Sequence, residues 1–457
     1  MSSKISSIIG MPISNFLKMV EENNVLHVRK ARLIPVYKTT DEMSLTSIFL
    51  SSLRLINEFK KAIFSELNLT LSGKLYVFTE VNFLETKVDQ PDGLIIIVRS
   101  NKIKDAALLE VKNKNNCLNE EQINRYLDIA KNFKIPKLIT ISNQFVSRPT
   151  QTPLNIKPPS NVKMYHLSWS YILTIANILL YDNDLNIEDP DQVEIMKEVV
   201  SFLEHDVSGV TGFTVMKPGW KNVVDKIRSG SLLNKNDSDV FDTVTSWLQE
   251  ERDMALILSR KLGSLVKTGI PKYRNDLQAR ITAEINNLIK SKALTSVLHI
   301  QNAASDIYVC AFFERRQIIF EVRLSPPEDK TNRGKIGWIR HQIQRCQKKN
   351  HDIFNEIEND LALYVYIKYQ KEPMKFNINE LEDAWEEVKD MDIKELGIRQ
   401  EINLARTFES RKKIVEEIEK SLISYYEGVV QHLKEWVKPP PKVIEKKLDN
   451  NDLDSIE

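Results

Sequence analysis

The sequence predicts an α/β protein: an N-terminal domain with a central mixed sheet flanked by helices, then a mainly helical region and a smaller α+β domain. Three observations carry this expectation. Apolar runs of strand length at 75–84, 93–99 and 106–112 follow one another closely, as expected of strands covered on both faces. Helical apolar spacing brackets them, over 41–67 before and 119–134 after. The chain, at 457 residues, is long enough for two or three domains.

In chain order, residues 1–41 include HVRKARLIPVYK, where Arg29, Lys30, Arg32 and Lys38 occur with no acid among them. This reads either as a solvated strand or loop or as a phosphate-contacting segment. One long helix is expected over 41–67, with Leu45, Ile48, Phe49, Leu53, Ile56, Phe59 and Ile63 as its apolar stripe and Thr40 or Asp41 as its cap. The core sheet then begins at 75–84. Pro91-Asp92-Gly93 opens a second strand, SNKIKD is short enough for a hairpin, and AALLEVK returns as a third. A helix over 119–134 and the KLITIS strand at 137–142 complete the core. Pro149, Pro153, Pro158 and Pro159 mark an irregular connection, after which YHLSWSYILTIANILL supplies a strand and a covering helix. The first domain is expected to span 1–181, with acidic DNDLNIEDPDQ as its boundary.

Beyond it, 193–293 reads as helical, interrupted by SGVTGFTVMKPGW. Residues 294–376 read as an α+β domain, with strand-like SVLHI, DIYVCAFFE and QIIFEVRL, a hairpin at Glu314-Arg315-Arg316, and a further strand at 361–369. Its helix at 330–349 stripes Ile336, Ile339, Ile343 and Cys346. It also carries Lys330, Arg333, Lys335, Arg340, Arg345, Lys348 and Lys349 with no acid among them. That basic face fits a nucleic-acid or partner surface, or the solvated side of a packing helix. Residues 377–437 read as C-terminal helices. The last has near-heptad spacing that suits dimerisation or packing within the chain equally well. The tail, 438–457, is expected to be flexible.

Chemistry concentrates between Asp92 and Tyr126. Side chains alternate along a strand, so Glu110 and Lys112 share one face, and the hairpin folds Asp92 back toward them. Two carboxylates beside an ammonium are hard oxygen donors of the kind Mg²⁺ takes. Gln122 and Tyr126, four apart on the following helix, lie on one helix face.

In order and spacing, Asp92-Gly93, Glu110-Val111-Lys112 and Gln122-x-x-x-Tyr126 resemble the PD-(D/E)XK nuclease superfamily, the last element pointing to its RecB-like branch, over roughly a quarter to a third of the chain. Other Glu-x-Lys triplets, such as Glu58-Phe59-Lys60, lack the strand before and the helix after. The resemblance implies a restriction-endonuclease-like core. It implies Mg²⁺ (or Mn²⁺) held by Asp92, Glu110 and the Val111 carbonyl, with Asp89 as the alternative to Asp92. Lys112 would be the base or the water-orienting cation. Gln122 and Tyr126 would order the lysine and the nucleic-acid backbone. A first-helix glutamate would join the metal, either Glu42, which is preferred, or Glu58. Lys114, on the strand face of Lys112, reads as a phosphate contact or surface charge.

Lys+Arg 64 against Asp+Glu 63 leaves a formal +1, so any affinity for DNA must come from local patches. Cys117, Cys310 and Cys346 are isolated, which argues against a disulfide framework or zinc module and for a reducing, cytoplasmic setting. The N-terminus lacks the layout of a signal peptide, and no apolar run approaches the roughly 18–20 residues that span a bilayer. The absence of GxxxxGK[ST] leaves no motor in the chain itself. The expected function is metal-dependent DNA hydrolysis, of a kind that fits defence against foreign DNA, acting alone, as a homodimer or with a partner ATPase. The alternative is a nucleic-acid-binding or regulatory protein on a catalytically inactive nuclease-like scaffold.

Overall fold

The structure, a computed structural model, describes residues 7–22, 26–30, 33, 42–83, 90–114, 116–146, 148–181, 186–273 and 276–437. Thr40, Asp41, Arg32, Lys38 and Asp89 lie outside the described residues. The chain divides into two compact units. The first is Met1–Asn302, Asp306–Glu321 and Gln400–Tyr426; the second is Ala303–Ser305, Val322–Arg399 and Glu427–Glu457.

The first unit opens with α1 (Ile13–Glu22), β1 (Leu26–Lys30), α2 (Glu42–Leu55), α3 (Asn57–Glu66), β2 (Lys74–Phe83), β3 (Gly93–Arg99) and β4 (Lys102–Val111). It continues with α4 (Glu120–Asn132), β5 (Lys137–Ser142), β6 (Lys163–Ser168) and α5 (Trp169–Ile178). The six strands form one mixed sheet in sequence order. β1 to β4 are antiparallel neighbours, and β4, β5 and β6 are parallel. The expected core strands are all present, and β1, built from LHVRK, adds an edge strand ahead of them. The β3–β4 turn is tighter than SNKIKD implied. It needs only Ser100 and Asn101, both at positive φ (52° and 57°), the conformation that a two-residue hairpin matching strand twist demands.

The expected helix over 41–67 is two helices. Ile56 is extended (φ −117°, ψ 109°) and fully buried, and the Asn57 amide donates to Gln192 Oε1 at 2.9 Å. With neither Gly nor Pro there, the break rests on the burial of Ile56 and on the Gln192 hydrogen bond to Asn57. One sheet face carries Leu94, Ile96, Ala106 and Leu108, which pack with Phe16 of α1 and with Ile123, Tyr126, Leu127 and Ala130 of α4. The other face meets α2 at Gly93. A Cβ there would lie 3.0 Å from Leu50 Cδ1 and 3.3 Å from Leu109 Cβ, so glycine permits the close approach. Between β4 and β5, Lys137 Nζ is buried against Asp105 Oδ1 at 2.7 Å, and Thr70 N donates to the same carboxylate at 3.0 Å. A charge pair this buried persists because each partner satisfies the other.

Still in the first unit, α6 (Pro190–Glu204), α7 (Gly219–Arg228), α8 (Ser238–Leu262), β7 (Lys267–Thr268), α9 (Leu277–Ser291), β8 (Ala293–His299), β9 (Ile307–Phe312) and the start of β10 (Gln317–Leu324) follow. α6 has Asp189 as cap and Pro190 in its first turn, and α8 ends at left-handed Gly263, the residue types those ends favour. β7, β8 and β9 are antiparallel neighbours.

The second unit holds α10 (Asn332–Lys349), α11 (His351–Ile357), β11 (Leu361–Ile367), β12 (Met374–Asn377), α12 (Ala384–Glu387) and most of β13 (Ile393–Asn403). The stripe predicted for α10 is buried, Ile336, Ile339, Ile343 and Cys346 alike. β13 corrects the expectation of helix throughout 377–437. Its many charges read as helical, yet Ile393, Leu396 and Ile398 are buried from an extended backbone. The last helix, α13 (Lys413–Gly428), belongs to the first unit as far as Tyr426 and stops short of Trp436. Ile414, Ile418, Leu422 and Tyr425 are fully buried within the chain, as the core-facing alternative requires. Among the described residues no helix is long and apolar enough to cross a membrane.

Candidate active site

Antiparallel pairing puts Gly93 opposite Leu109. One step further along that register, Asp92 stands opposite Glu110, and residues opposite one another in a ladder project to the same face. Asp92 Oδ2 accepts the Val111 amide at 2.8 Å. Glu110 is 1 % exposed. Its Oε1 takes the Lys112 ammonium at 2.5 Å, while its Oε2 is buried with no hydrogen-bond partner. Lys112 also reaches Glu42 Oε2 at 3.4 Å.

Glu42 begins α2, and it is the close approach of α2 at Gly93 that brings it over the end of β4. Its Oε1 accepts Asn116 Nδ2 at 2.8 Å and the Asn113 amide at 3.3 Å. Both of its oxygens are therefore engaged, and it serves as an anchor for Lys112 and the loop after β4. The alternative, Glu58, is on α3 and pairs with Lys61 at 3.7 Å. Lys114 is not on the strand face of Lys112, as expected, because β4 ends at Val111 and Lys114 turns at φ 52°.

Gln122 and Tyr126 project from one face of α4, whose cap is Asn119. Gln122 Nε2 donates to Tyr126 Oη at 2.8 Å, and Tyr126 Oη donates to the Gln90 carbonyl at 3.1 Å. The pair thus braces the backbone two residues before Asp92. Three residues of the site carried no signal in the sequence: Asn113 and Asn116, and Trp169, whose Nε1 holds the Lys112 carbonyl at 2.9 Å. Each depends on a long-range approach.

Comparison with family models, with curated proteins and with solved structures finds no match to this chain.

The electrostatics are those of crowded carboxylates. Burial, and then the Asp92 charge, push the Glu110 carboxyl up to about 8 against the pull of Lys112. Burial likewise raises Asp92, opposed by the Val111 hydrogen bond and by Lys112. Burial alone would lower Lys112, but the carboxylates of Glu110, Asp92 and Glu42 outweigh it and hold the ammonium above its ordinary value. Among the described residues no group of three or more His, Cys, Asp and Glu side chains is placed to hold a metal ion. What is present is a pair of buried carboxyls, Asp92 and Glu110, that share a proton where no cation is bound. Mg²⁺ is commonly held by one or two carboxylates, keeping waters and substrate oxygens for the rest of its shell. The donor set therefore fits it: Asp92, Glu110 and the carbonyl of Val111, the residue after Glu110.

Proposed function

We propose that this protein is a Mg²⁺-dependent nuclease that hydrolyses DNA phosphodiester bonds on a PD-(D/E)XK-like core. The observation that carries the reading is the convergence of two buried carboxyls, Glu110 on β4 and Asp92 just before β3, close enough to hydrogen-bond to each other while Lys112 occupies the other Glu110 oxygen. Two buried carboxylates this close cannot both ionise without cost, and a bound cation would take the place of the proton they otherwise share. Mn²⁺ would serve the same donors.

A bound divalent cation supplies a lowered water pKa and a polarised phosphate. The residues do the rest. Asp92 is fixed by the Val111 amide, so the two carboxylates keep their spacing. Lys112 is held as a cation by its acidic neighbours. It offsets the negative charge that develops on the phosphate and orients water rather than acting as the base. Glu42 positions Lys112, and Gln122 with Tyr126 steadies the approach to Asp92.

The test is cleavage of single-stranded, double-stranded and branched DNA with Mg²⁺ or Mn²⁺. Asp92→Ala, Glu110→Ala and Lys112→Ala are each expected to lower the rate by about a hundredfold or more, and a chelator should stop it. Undiminished cleavage by the Glu110 and Lys112 variants would sink the assignment. DNA binding without metal-dependent cleavage of any of these substrates would favour a binding protein on an inactive scaffold.

A further inference from the structure

Asn143, half-buried just past the end of β5, joins two segments that are far apart in the chain. Its Nδ2 donates to the Lys114 carbonyl at 3.1 Å and to the Gly209 carbonyl at 2.8 Å, and its Oδ1 accepts the Thr211 amide at 3.2 Å. A side-chain amide has two hydrogens to give and an oxygen to accept, and here all are used. The two segments also meet directly. The Lys114 amide donates to the Gly209 carbonyl at 3.3 Å, and Asn113 Nδ2 donates to the Ser208 carbonyl at 3.3 Å.

The backbone is fitted to this meeting. Lys114 (φ 52°) and Gly209 (φ 70°) are both left-handed, a conformation that a lysine keeps only where its surroundings fix it. A Cβ at Gly209 would overlap the Lys114 stem, so glycine lets the stem lie across the turn. Further along, the Phe213 amide donates to Asp253 Oδ2 at 2.6 Å, and Asp253, buried on α8, takes Ser170 Oγ on its other oxygen at 3.1 Å. Ser208–Phe213 is thus a strap, anchored in the core at one end and against the loop after β4 at the other. That loop is what holds Glu42. The Asn113 amide and Asn116 Nδ2 fix Glu42 Oε1, which leaves Oε2 facing Lys112 Nζ at 3.4 Å.

We propose that Asn143, together with the Ser208–Phe213 strap, is a positioning residue of the Asp92–Glu110–Lys112 centre: it sets the loop that turns Glu42 onto Lys112. The centre therefore draws on chain beyond residue 181, the expected end of the first domain. The part Asn143 plays in cleavage rests on the nuclease reading, whereas its hold on Lys112 does not.

The experiment labels the full chain with acetic anhydride from about pH 8 to 10 and reads each lysine by mass spectrometry, because only the unprotonated amine reacts. Glu42→Gln removes the carboxylate beside Lys112 and should speed labelling of Lys112 by about threefold or more. Asn143→Leu keeps the volume and loses the hydrogen bonds, and should speed it by a similar factor. Asn143→Ala, which cannot crowd the strap, should do the same. Lys137, buried against Asp105, should label as in the wild type throughout. In cleavage assays Asn143→Leu should lower kcat by about tenfold with KM unchanged, since Asn143 meets protein carbonyls rather than substrate. Wild-type labelling of Lys112 in both Asn143 variants overturns the proposal, as does a matching rise at Lys137, which marks general loosening. No rise in Glu42→Gln overturns it too, because Glu42 then does not hold Lys112. If the wild type cleaves and Asn143→Leu keeps full kcat, the nuclease reading stands and this role falls. If the wild type cleaves no DNA, that reading falls and the labelling alone decides.

Discussion

His166 shows how one side chain ties the sheet to pH. It is fully buried on β6, with Nδ1 2.9 Å from Thr140 Oγ1 and Nε2 2.8 Å from the Gln144 carbonyl. Burial lowers its pKa to about 4, against a small pull upward from Gln144. The folded state therefore holds fewer protons than the unfolded state between the two values. The stability contributed by the neutral ring is complete above about 6.5 and is lost as pH falls toward 4, a difference of about 3 kcal/mol across that window. Urea midpoints followed from pH 7 to 4 should fall more steeply for the wild type than for His166→Gln, which has nothing to titrate. Parallel curves would mean the ring is protonated in the folded state. Glu110 is shifted the opposite way, to about 8, since it is a buried acid facing another acid.

Among the elements, α2 decides how Lys112 is held. It carries Glu42 to the end of β4, and Gly93 sets how near it comes. A methyl group there would meet Leu50 Cδ1 at 3.0 Å, Leu109 Cβ at 3.3 Å and Thr46 Cγ2 at 3.4 Å, so the Leu50 side chain or the helix that carries it must give by a few tenths of an ångström. Overpacking of this kind costs about 1–3 kcal/mol. Gly93→Ala is expected to lower the melting temperature and, if the chain cleaves DNA as proposed and α2 carries Glu42 away from Lys112, to slow that cleavage by about tenfold. A variant with wild-type cleavage would show that Glu42 is dispensable. The strands around this point were legible because they are apolar on both faces. The break at Ile56 was not, because the residue is an ordinary helix former pulled out of line by burial and by the Gln192 hydrogen bond to Asn57. β13 was missed for the converse reason, its charged side chains hiding the buried Leu396 and Ile398.

Across the whole molecule, a formal charge of +1 provides no field to gather DNA, which leaves local faces such as α10. There Arg340 is 3.4 Å from Glu382 and Arg345 donates to Gln342, while the buried stripe fixes the opposite side. If α10 meets the DNA backbone, charge reversal at Arg340, Arg345 and Lys348 should weaken binding. It should also flatten the salt dependence by roughly one log–log unit for each phosphate no longer neutralised. An unchanged slope would assign the face to solubility. The sequence by itself determined the order from β2 through β3, β4, α4 and β5 to β6 and α5, and the pairing of Asp92 with Glu110 and Lys112. Those follow from local periodicity and a short hairpin, and short-range geometry is written in neighbouring residues. Only the tertiary structure decided that Glu42 rather than Glu58 meets Lys112, that Trp169, Asn113 and Asn116 brace the loop, and that α13 packs inward. It alone also set Asn143 between the loop after β4 and the turn at Gly209. These depend on approaches between residues distant in the chain, and no spacing along a sequence encodes which distant side chains will meet.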